Sequence, residues 1–149
     1  MPTRPGRTGS RTGSSRVTDL YLAQVRWSDA DMMGHVNHAR YLSYFEDARM
    51  TLLASSPAGL AGSVGDLGYI AARVAVDYQS PATFRPGIML RVETRVSGIG
   101  RTSWTFDQQL YDDDVKIARC ECVLVGYSYA DAKPRPLSPA EREFWESLR

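Results

Sequence analysis

The segment WSDADMMGHVNHARYLSYFEDARM, residues 27–50, carries the residues of this chain that are best suited to chemistry. It places Asp29 and Asp31 shortly before His35 and His38, which are the two histidines of the sequence. Carboxylates and imidazoles serve as nucleophiles, as general acids and bases, and as metal ligands. These residue types predict a catalytic carboxylate, a metal site or an ordinary polar loop.

A metal site in this segment would draw on Asp29, Asp31, His35 and His38. A His-x-x-His pair occurs in real metal sites. The spacing here matches no standard zinc pattern, however, and no distant group of ligand residues in the sequence adds to it. We therefore expect no metal.

Strands must surround the segment, because apolar and polar residues alternate on both sides of it. From Val17 to Trp27 the alternation predicts a first strand with one face made of Tyr21, Ala23, Val25 and Trp27. Residues 69–78, 88–96, 101–111 and 115–129 repeat this pattern, with short turns between the last three stretches. Such an order is typical of an antiparallel meander.

A helix follows the polar segment directly. Apolar residues recur at helical spacing and form a stripe of Tyr41, Phe45, Ala48 and Leu52. Asn37 is the expected N-cap, and Pro57 and Gly59 end the helix. A short terminal helix is predicted after Ser138, which forms a capping box with Glu141. One helix cannot cover two faces of a sheet. We therefore predict an α+β fold in which a curved antiparallel sheet of about five strands wraps around one long central helix.

Length and charge limit the possible functions. A chain of 149 residues favours a single domain. Residues 1–16 hold four arginines and no acid, and we expect a disordered basic tail there, with the folded domain over residues 17–149. The remaining 14 basic and 17 acidic residues argue against a nucleic-acid binder. No stretch approaches the roughly 18 apolar residues of a membrane span.

Two cysteines, Cys120 and Cys122, lie two residues apart in a predicted strand. This spacing puts both side chains on one face of the same strand, which is a poor geometry for a disulfide. Buried free thiols indicate a reducing compartment, and we expect a cytoplasmic protein.

These elements and motifs resemble those of hotdog-fold acyl-CoA thioesterases of the 4-hydroxybenzoyl-CoA thioesterase type. The family pattern is Asp-x-Asp-x-x-Gly, a polar loop, Tyr-Leu at the helix start and Glu-x-Ala-Arg within the helix, and DADMMGHVNHARYLSYFEDAR is similar to it throughout. AVDYQSPATFRPG is similar to the family's second strand and the turn after it. The resemblance covers about residues 18–130.

The resemblance implies hydrolysis of an acyl-CoA to a free acid and CoA, with no cofactor because CoA is part of the substrate. It implies that Asp31 is the catalytic carboxylate and that His38 supplies the amide that binds the oxyanion. Free amides at the positive end of a helix dipole suit that second role. The dipole also favours an ionised Asp31, which is a weak general base but remains available as a nucleophile. We prefer the nucleophile and keep the general base as the alternative.

The sequence leaves alternative roles open for several neighbouring residues. His35 either orders a water molecule or closes the loop, and the role of the Asn37 side chain stays open. Asp29 is expected to be a loop or capping residue. Glu46 and Arg49 are expected to form a local ion pair, although a related hotdog subfamily uses a carboxylate on this helix. An acyl channel lined by Met32, Met33, Tyr41, Tyr44, Phe45 and Tyr69 competes with the simpler interpretation that these residues form the core.

Coenzyme recognition is expected at GIGRTSW, residues 98–104, where the family's hairpin often meets the nucleotide phosphates. Arg101 would pair with a phosphate, Thr102 and Ser103 would offer donors, and Arg85 is a lesser candidate. The alternative is a plain hairpin turn with an exposed arginine.

The family resemblance also bears on the assembly of the protein and on two alternative functions. The resemblance implies a homodimer, or a tetramer built from dimers, with sheets paired edge to edge and active sites between protomers. A non-catalytic acyl-CoA sensor on the same fold is the alternative function, but residues 1–16 cannot form an effector domain. A dehydratase would need a helix-borne His-Asp or His-Glu pair that this sequence lacks.

Overall fold

The protein is described by a computed structural model that covers residues 19–57, 59 and 68–149. The predicted basic tail, residues 1–16, lies outside the described residues. The helices are α1, Arg40–Ala54, and α2, Pro139–Glu146, and a 3-10 turn spans Trp27–Asp29. The strands are β1, Asp19–Gln24; β2, Gly68–Tyr78; β3, Met89–Ile99; β4, Ser103–Asp112; β5, Val115–Ser128; and β6, Lys133–Pro134.

All strand pairs in the described residues are antiparallel, in the order β1-β3-β4-β5-β2, and β6 pairs with β5. The α+β class with an antiparallel sheet and two helices is confirmed. The sheet has six strands rather than about five, because the two residues of β6 pair with the end of β5. A two-residue strand beside prolines carries no alternation by which the sequence would reveal it.

One hydrophobic core lies between α1 and the inner face of the sheet. The predicted helical stripe is buried, and Phe45 and Ala48 are fully enclosed. The helix begins at Arg40 with Ala39 as its N-cap, so the prediction of Asn37 as the N-cap is wrong. Asn37 instead accepts the N–H of Ala39 in a turn that precedes the helix.

Strand β1 ends at Gln24, three residues earlier than predicted. Trp27 does not continue the inward face of β1 but lies in the 3-10 turn with 80% of its surface exposed. The turn is held by the Asp29 carboxylate, which accepts the N–H of Arg26 at 2.9 Å. The physical reason for the error is that a capped turn stops the alternation of side-chain faces.

The terminal helix α2 covers one end of the core. Its capping box is confirmed: Ser138 and Glu141 exchange both hydrogen bonds. Trp145 stacks on Trp104 of β4 with ring centroids 4.8 Å apart. Arg135 forms two hydrogen bonds to the buried Glu141 carboxylate, at 2.8 and 2.7 Å.

Cys120 and Cys122 are free and fully buried on the core face of β5, as predicted. Burial raises the pKa of the Cys120 thiol to about 11. No helix within the described ranges is both long and apolar enough to cross a membrane.

Candidate active site

The Asp31 carboxylate sits on a tight turn between the 3-10 helix and α1. The turn is closed by hydrogen bonds from Gly34 N–H to the Asp31 carbonyl, 3.1 Å, and from Asp31 N–H to the His35 carbonyl, 2.8 Å. Gly34 has a φ of 75°, in the left-handed region that favours glycine. The sequence motif Asp-x-x-Gly therefore specifies the bend that projects Asp31.

One oxygen of this carboxylate is held and the other is free. Asp31 Oδ1 accepts the N–H of Met33 at 2.9 Å and the N–H of His35 at 3.3 Å. Asp31 Oδ2 accepts no hydrogen bond from any residue that the structure describes. The residue is half-buried. A fixed carboxylate with one unengaged oxygen is suited to attack a carbonyl carbon or to accept a proton from water.

The neighbouring Asp29 faces the opposite way. It is buried, it accepts the hydroxyl of Tyr44 at 2.8 Å, and Arg40 lies 3.6 Å from its other oxygen. Burial, followed by the hydrogen bond to Asp29, raises the pKa of Tyr44. Asp29 thus has the capping role that was expected of it.

The amides before α1 are engaged with one exception. Asn37 N–H donates to the Asp29 carbonyl at 2.8 Å, Ala39 N–H to Asn37 Oδ1 at 3.0 Å and Arg40 N–H to the Asn37 carbonyl at 2.9 Å. His38 N–H has no acceptor within the described part of the chain. It is an unpaired donor next to the positive end of the α1 dipole.

Asp31 and His38 line the same cavity, which has a volume of about 350 Å³. His35, Tyr41 and Tyr78 are further lining residues, and residues 79–81 close one side. The loop is fastened to that side by Val36 N–H, which donates to the Ala82 carbonyl at 2.8 Å. Three of the four predicted catalytic residues therefore meet here, whereas the Asn37 side chain is occupied in the turn beside the cavity.

A second cavity, of about 470 Å³, opens on the other side of the Asp31 turn. Its apolar lining comes from Trp27, Met32 and Phe84. Of the residues considered for an acyl channel, Tyr41 and Met32 thus adjoin Asp31, Met33 is exposed, and Tyr44 and Phe45 belong to the core. Tyr69 lines a smaller cavity, away from Asp31, with Glu46 and Arg49.

The predicted ion pair between Glu46 and Arg49 is wrong. Arg49 is buried and donates to Gln108 Oε1 at 2.9 Å, and among the described residues Glu46 and Arg49 form no ion pair. Arg49 lies one helical turn after Phe45 and therefore on the core side of α1. Glu46 is exposed and does not line the Asp31 cavity.

The predicted coenzyme residues lie elsewhere. Arg101, Thr102 and Ser103 form the β3–β4 turn, which Gly100 N–H closes by donating to the Ser103 carbonyl at 2.7 Å. Arg101 is exposed. Arg85 is engaged by Asp112 through two hydrogen bonds, at 2.8 and 2.6 Å, which lower the pKa of Asp112.

The β3–β4 turn and the Asp31 cavity are at opposite ends of the sheet. Ser103 pairs with Val125 and Tyr69 with Gly126, so the turn adjoins the start of β2. Tyr78, at the cavity, ends the same strand. At about 3.3 Å per residue, β2 separates the two places by roughly 30 Å within one chain.

No group of three or more His, Cys, Asp or Glu side chains in the described ranges is arranged to hold a metal. Asp29, which the metal interpretation required, is turned toward Tyr44 and away from the cavity.

Tyr78 is the residue of this site that sequence reasoning missed. The alternation of residues 69–78 predicts only that Tyr78 belongs to a strand, yet its hydroxyl donates to the His38 carbonyl at 2.9 Å. An aromatic residue at the last position of a strand, directly before a Gln-Ser-Pro turn, was the available signal. The contact joins residues 40 positions apart, which no local pattern encodes.

The antiparallel sheet packed on one long helix, together with the similarity to known proteins, places this chain in the class of hotdog-fold acyl-CoA thioesterases. The chain belongs to the thioesterase-like superfamily, whose profile matches residues 25–144. Acyl-CoA thioester hydrolase YbgC of Escherichia coli is 29% identical in an alignment of 127 positions that covers 80% of this chain and 91% of that protein.

Solved structures agree with this assignment. A Thermus thermophilus thioesterase in complex with coenzyme A and zinc is 32% identical, with a TM-score of 0.74 over 87% of this chain and 92% of that one. A predicted thioesterase from Bacillus stearothermophilus, at 22% identity, has a TM-score of 0.80 over 89% of this chain and 96% of its own, and shares the fold.

Proposed function

We propose that this thioesterase hydrolyses an acyl-CoA to the free acid and CoA, with Asp31 as its catalytic carboxylate and His38 N–H as its oxyanion donor. The observation that carries the proposal is the meeting at one cavity of two groups that have no hydrogen-bond partner among the described residues: Asp31 Oδ2 and His38 N–H. Thioester cleavage needs both an attacking group and a donor for the developing negative charge. The YbgC relatives, which are thioester hydrolases, support the same reaction class.

In the mechanism that we prefer, Asp31 Oδ2 attacks the thioester carbonyl carbon, and His38 N–H stabilises the oxyanion. The C–S bond breaks, the CoA thiolate leaves and takes up a proton, and a mixed anhydride with Asp31 remains. Water then cleaves the anhydride, which releases the acid and restores the carboxylate. In the alternative, Asp31 takes a proton from a water molecule that attacks the thioester directly.

The test of the function is thiol release from a panel of short, long and aromatic acyl-CoAs. We expect Asp31→Asn to abolish turnover, with the thermal transition unchanged. Asp47→Asn is the matched control, because Asp47 is an exposed carboxylate of α1 that does not line the Asp31 cavity. Equal rates for wild type and Asp31→Asn would contradict the assignment of Asp31, and binding without turnover by the wild type would favour the sensor.

The mechanistic preference has its own test, a single turnover in ¹⁸O-labelled water. Water that attacks the anhydride at the Asp31 carbonyl carbon leaves label in the enzyme, detectable in the mass of the peptide that contains Asp31. Label found solely in the released acid would favour the general base.

We propose further that the active enzyme is a dimer paired through β2. The outer edge of β2 has no partner strand in the described part of the chain, and Ile70 and Val74 are exposed on this strand. Two β2 strands paired antiparallel across a two-fold axis put the start of one beside the end of the other. This arrangement brings the partner's β3–β4 turn, with its Arg101, toward the Asp31 cavity, which agrees with Arg101, Thr102 and Ser103 as coenzyme residues.

The dimer is tested with two valine substitutions. Val74→Glu places a charge on β2 and is expected to yield monomers in light scattering after gel filtration. Val115→Glu introduces the same change at an exposed valine of the β4–β5 hairpin and is expected to leave the dimer intact. A wild-type protein that is monomeric at micromolar concentration would contradict the dimer.

A further inference from the structure

We propose that Tyr78 is a positioning residue that fixes the peptide between His38 and Ala39 and thereby orients the oxyanion donor. The inference rests on the proposed function, since it concerns the amide that serves the reaction. Tyr78 ends β2, and its hydroxyl reaches across to the start of α1, where it donates to the His38 carbonyl at 2.9 Å.

The same peptide is held from its other side. Ala39 N–H donates to Asn37 Oδ1 at 3.0 Å. A peptide unit is planar, so one bond to its carbonyl and one to its N–H remove its rotation. The preceding peptide is held through the Asn37 carbonyl, which accepts Arg40 N–H at 2.9 Å. The His38 N–H, which has no acceptor among the described residues, belongs to the first of these two restrained peptides in chain order and adjoins the second. Its direction is therefore fixed.

The helix start needs an external restraint because its own cap is weak. Ala39 is the N-cap and has no side-chain oxygen to accept a hydrogen bond from the first turn. The hydroxyl of Tyr78 does not replace that acceptor, but by donating to the His38 carbonyl it fastens the start of the helix to the sheet. Its ring is also fixed, edge to face against Tyr41 at 5.4 Å and against His38 at 6.1 Å.

The exposure of the Tyr78 side chain distinguishes a positioning role from a purely structural one. Tyr78 is 49% exposed, so water can replace its hydroxyl and the loss of the bond costs little stability. Orientation of an oxyanion donor is much more sensitive, because small displacements of a catalytic group reduce the rate strongly. Loss of the hydroxyl should thus affect turnover more than folding.

The experiment compares Tyr78→Phe with Tyr129→Phe. Tyr129 is the matched control because it is 48% exposed and its hydroxyl also donates to a backbone carbonyl, that of Tyr69 in β2, at 3.1 Å. We expect Tyr78→Phe to lower kcat by about ten- to a hundredfold, less than removal of an oxyanion donor itself, with KM within about twofold of wild type. Tyr129→Phe should keep the wild-type kcat, and the two variants should have similar melting temperatures.

Amide exchange gives a readout that does not depend on activity. Ala39 N–H belongs to the same peptide as the His38 carbonyl, and Tyr41 N–H donates to that carbonyl at 3.3 Å. In Tyr78→Phe both amides should exchange faster than in wild type, whereas in Tyr129→Phe they should not. An unchanged kcat with unchanged exchange, a rise of KM alone, or an equal loss in both variants would overturn the inference. Failure of the wild type to hydrolyse any acyl-CoA would instead reject the proposed function, and exchange would still report whether Tyr78 holds the peptide.

Discussion

Asp29 and Asp31 are two residues apart, yet they have opposite tasks. Asp29 is buried, and both of its oxygens are committed to Arg26, Tyr44 and Arg40. Asp31 lies beside a cavity, and no residue within the described ranges donates to its Oδ2. The sequence predicted a loop or capping role for Asp29, and the family resemblance implied a catalytic role for Asp31. The partners of Asp29 were not predictable, since Tyr44 lies 15 positions away.

This division predicts that Asp29→Ala lowers stability. The substitution leaves the buried Tyr44 hydroxyl and the Arg26 N–H without their acceptor, which should cost about 1–3 kcal/mol. Urea unfolding measures the loss. The properly folded fraction should still turn over substrate, unlike Asp31→Asn. A stability equal to wild type would show that water replaces both bonds without cost.

A second prediction at the scale of single residues concerns Arg101. Arg101→Ala removes an exposed guanidinium from the turn proposed to meet the coenzyme phosphates, so we expect KM for acyl-CoA to rise by more than kcat falls. Arg142→Ala is the control, because it removes a half-buried arginine that donates to the Gly100 carbonyl of the same turn. A KM unchanged by Arg101→Ala would remove this residue from the coenzyme site.

Among the elements, those with regular side-chain patterns were predicted well. The stripe of α1 and the alternation of β3, β4 and β5 reflect burial directly, so their existence and inward faces were readable from the sequence. Errors occurred where an irregular turn replaces a pattern: at the end of β1, at the start of α1 and at β6. There the backbone follows the hydrogen bonds of individual turns and a two-residue pairing, which leave no repeating pattern in the sequence.

The inward face of β5 gives a prediction for the two thiols. Both are enclosed by the core, and burial raises the pKa of both Cys120 and Cys122, so thiolate is scarce near neutral pH. Ellman's reagent should react with neither cysteine in the native protein and with both in guanidinium chloride. Rapid labelling of the native protein would contradict the burial of this strand face.

At the scale of the whole molecule, the outer face of the sheet carries charges that predict sensitivity to acid. Asp107 is almost fully buried between Arg95 and Arg119. Its carboxylate accepts a hydrogen bond from Arg95 Nε at 2.9 Å and another from Arg119 Nε at 2.7 Å. Burial opposes its ionisation, but the hydrogen bonds from Arg119 and Arg95 outweigh burial and lower the pKa of Asp107. The pKa of Glu141 is lowered in the same way by Arg135 and Ser138.

A carboxyl whose pKa is lowered on folding stabilises the folded state above its unfolded pKa, and this contribution is lost as pH falls through the folded value. The free energy of unfolding should therefore decline below about pH 4, the usual range of free carboxyls. Asp107→Asn lacks one of these groups and should show a shallower decline over the same range. Parallel curves for the two proteins would exclude Asp107 as a source of the acid sensitivity.

The separation of Arg101 from Asp31 along β2 has a genetic consequence if sites form across the dimer. Subunits carrying Asp31→Asn and subunits carrying Arg101→Ala are each defective in homodimers. A mixed dimer, however, combines the intact Asp31 of one subunit with the intact Arg101 of the other in one of its two sites. Co-expression of the two mutants should thus restore turnover at the wild-type KM, through complementation between two defective copies of the same protein.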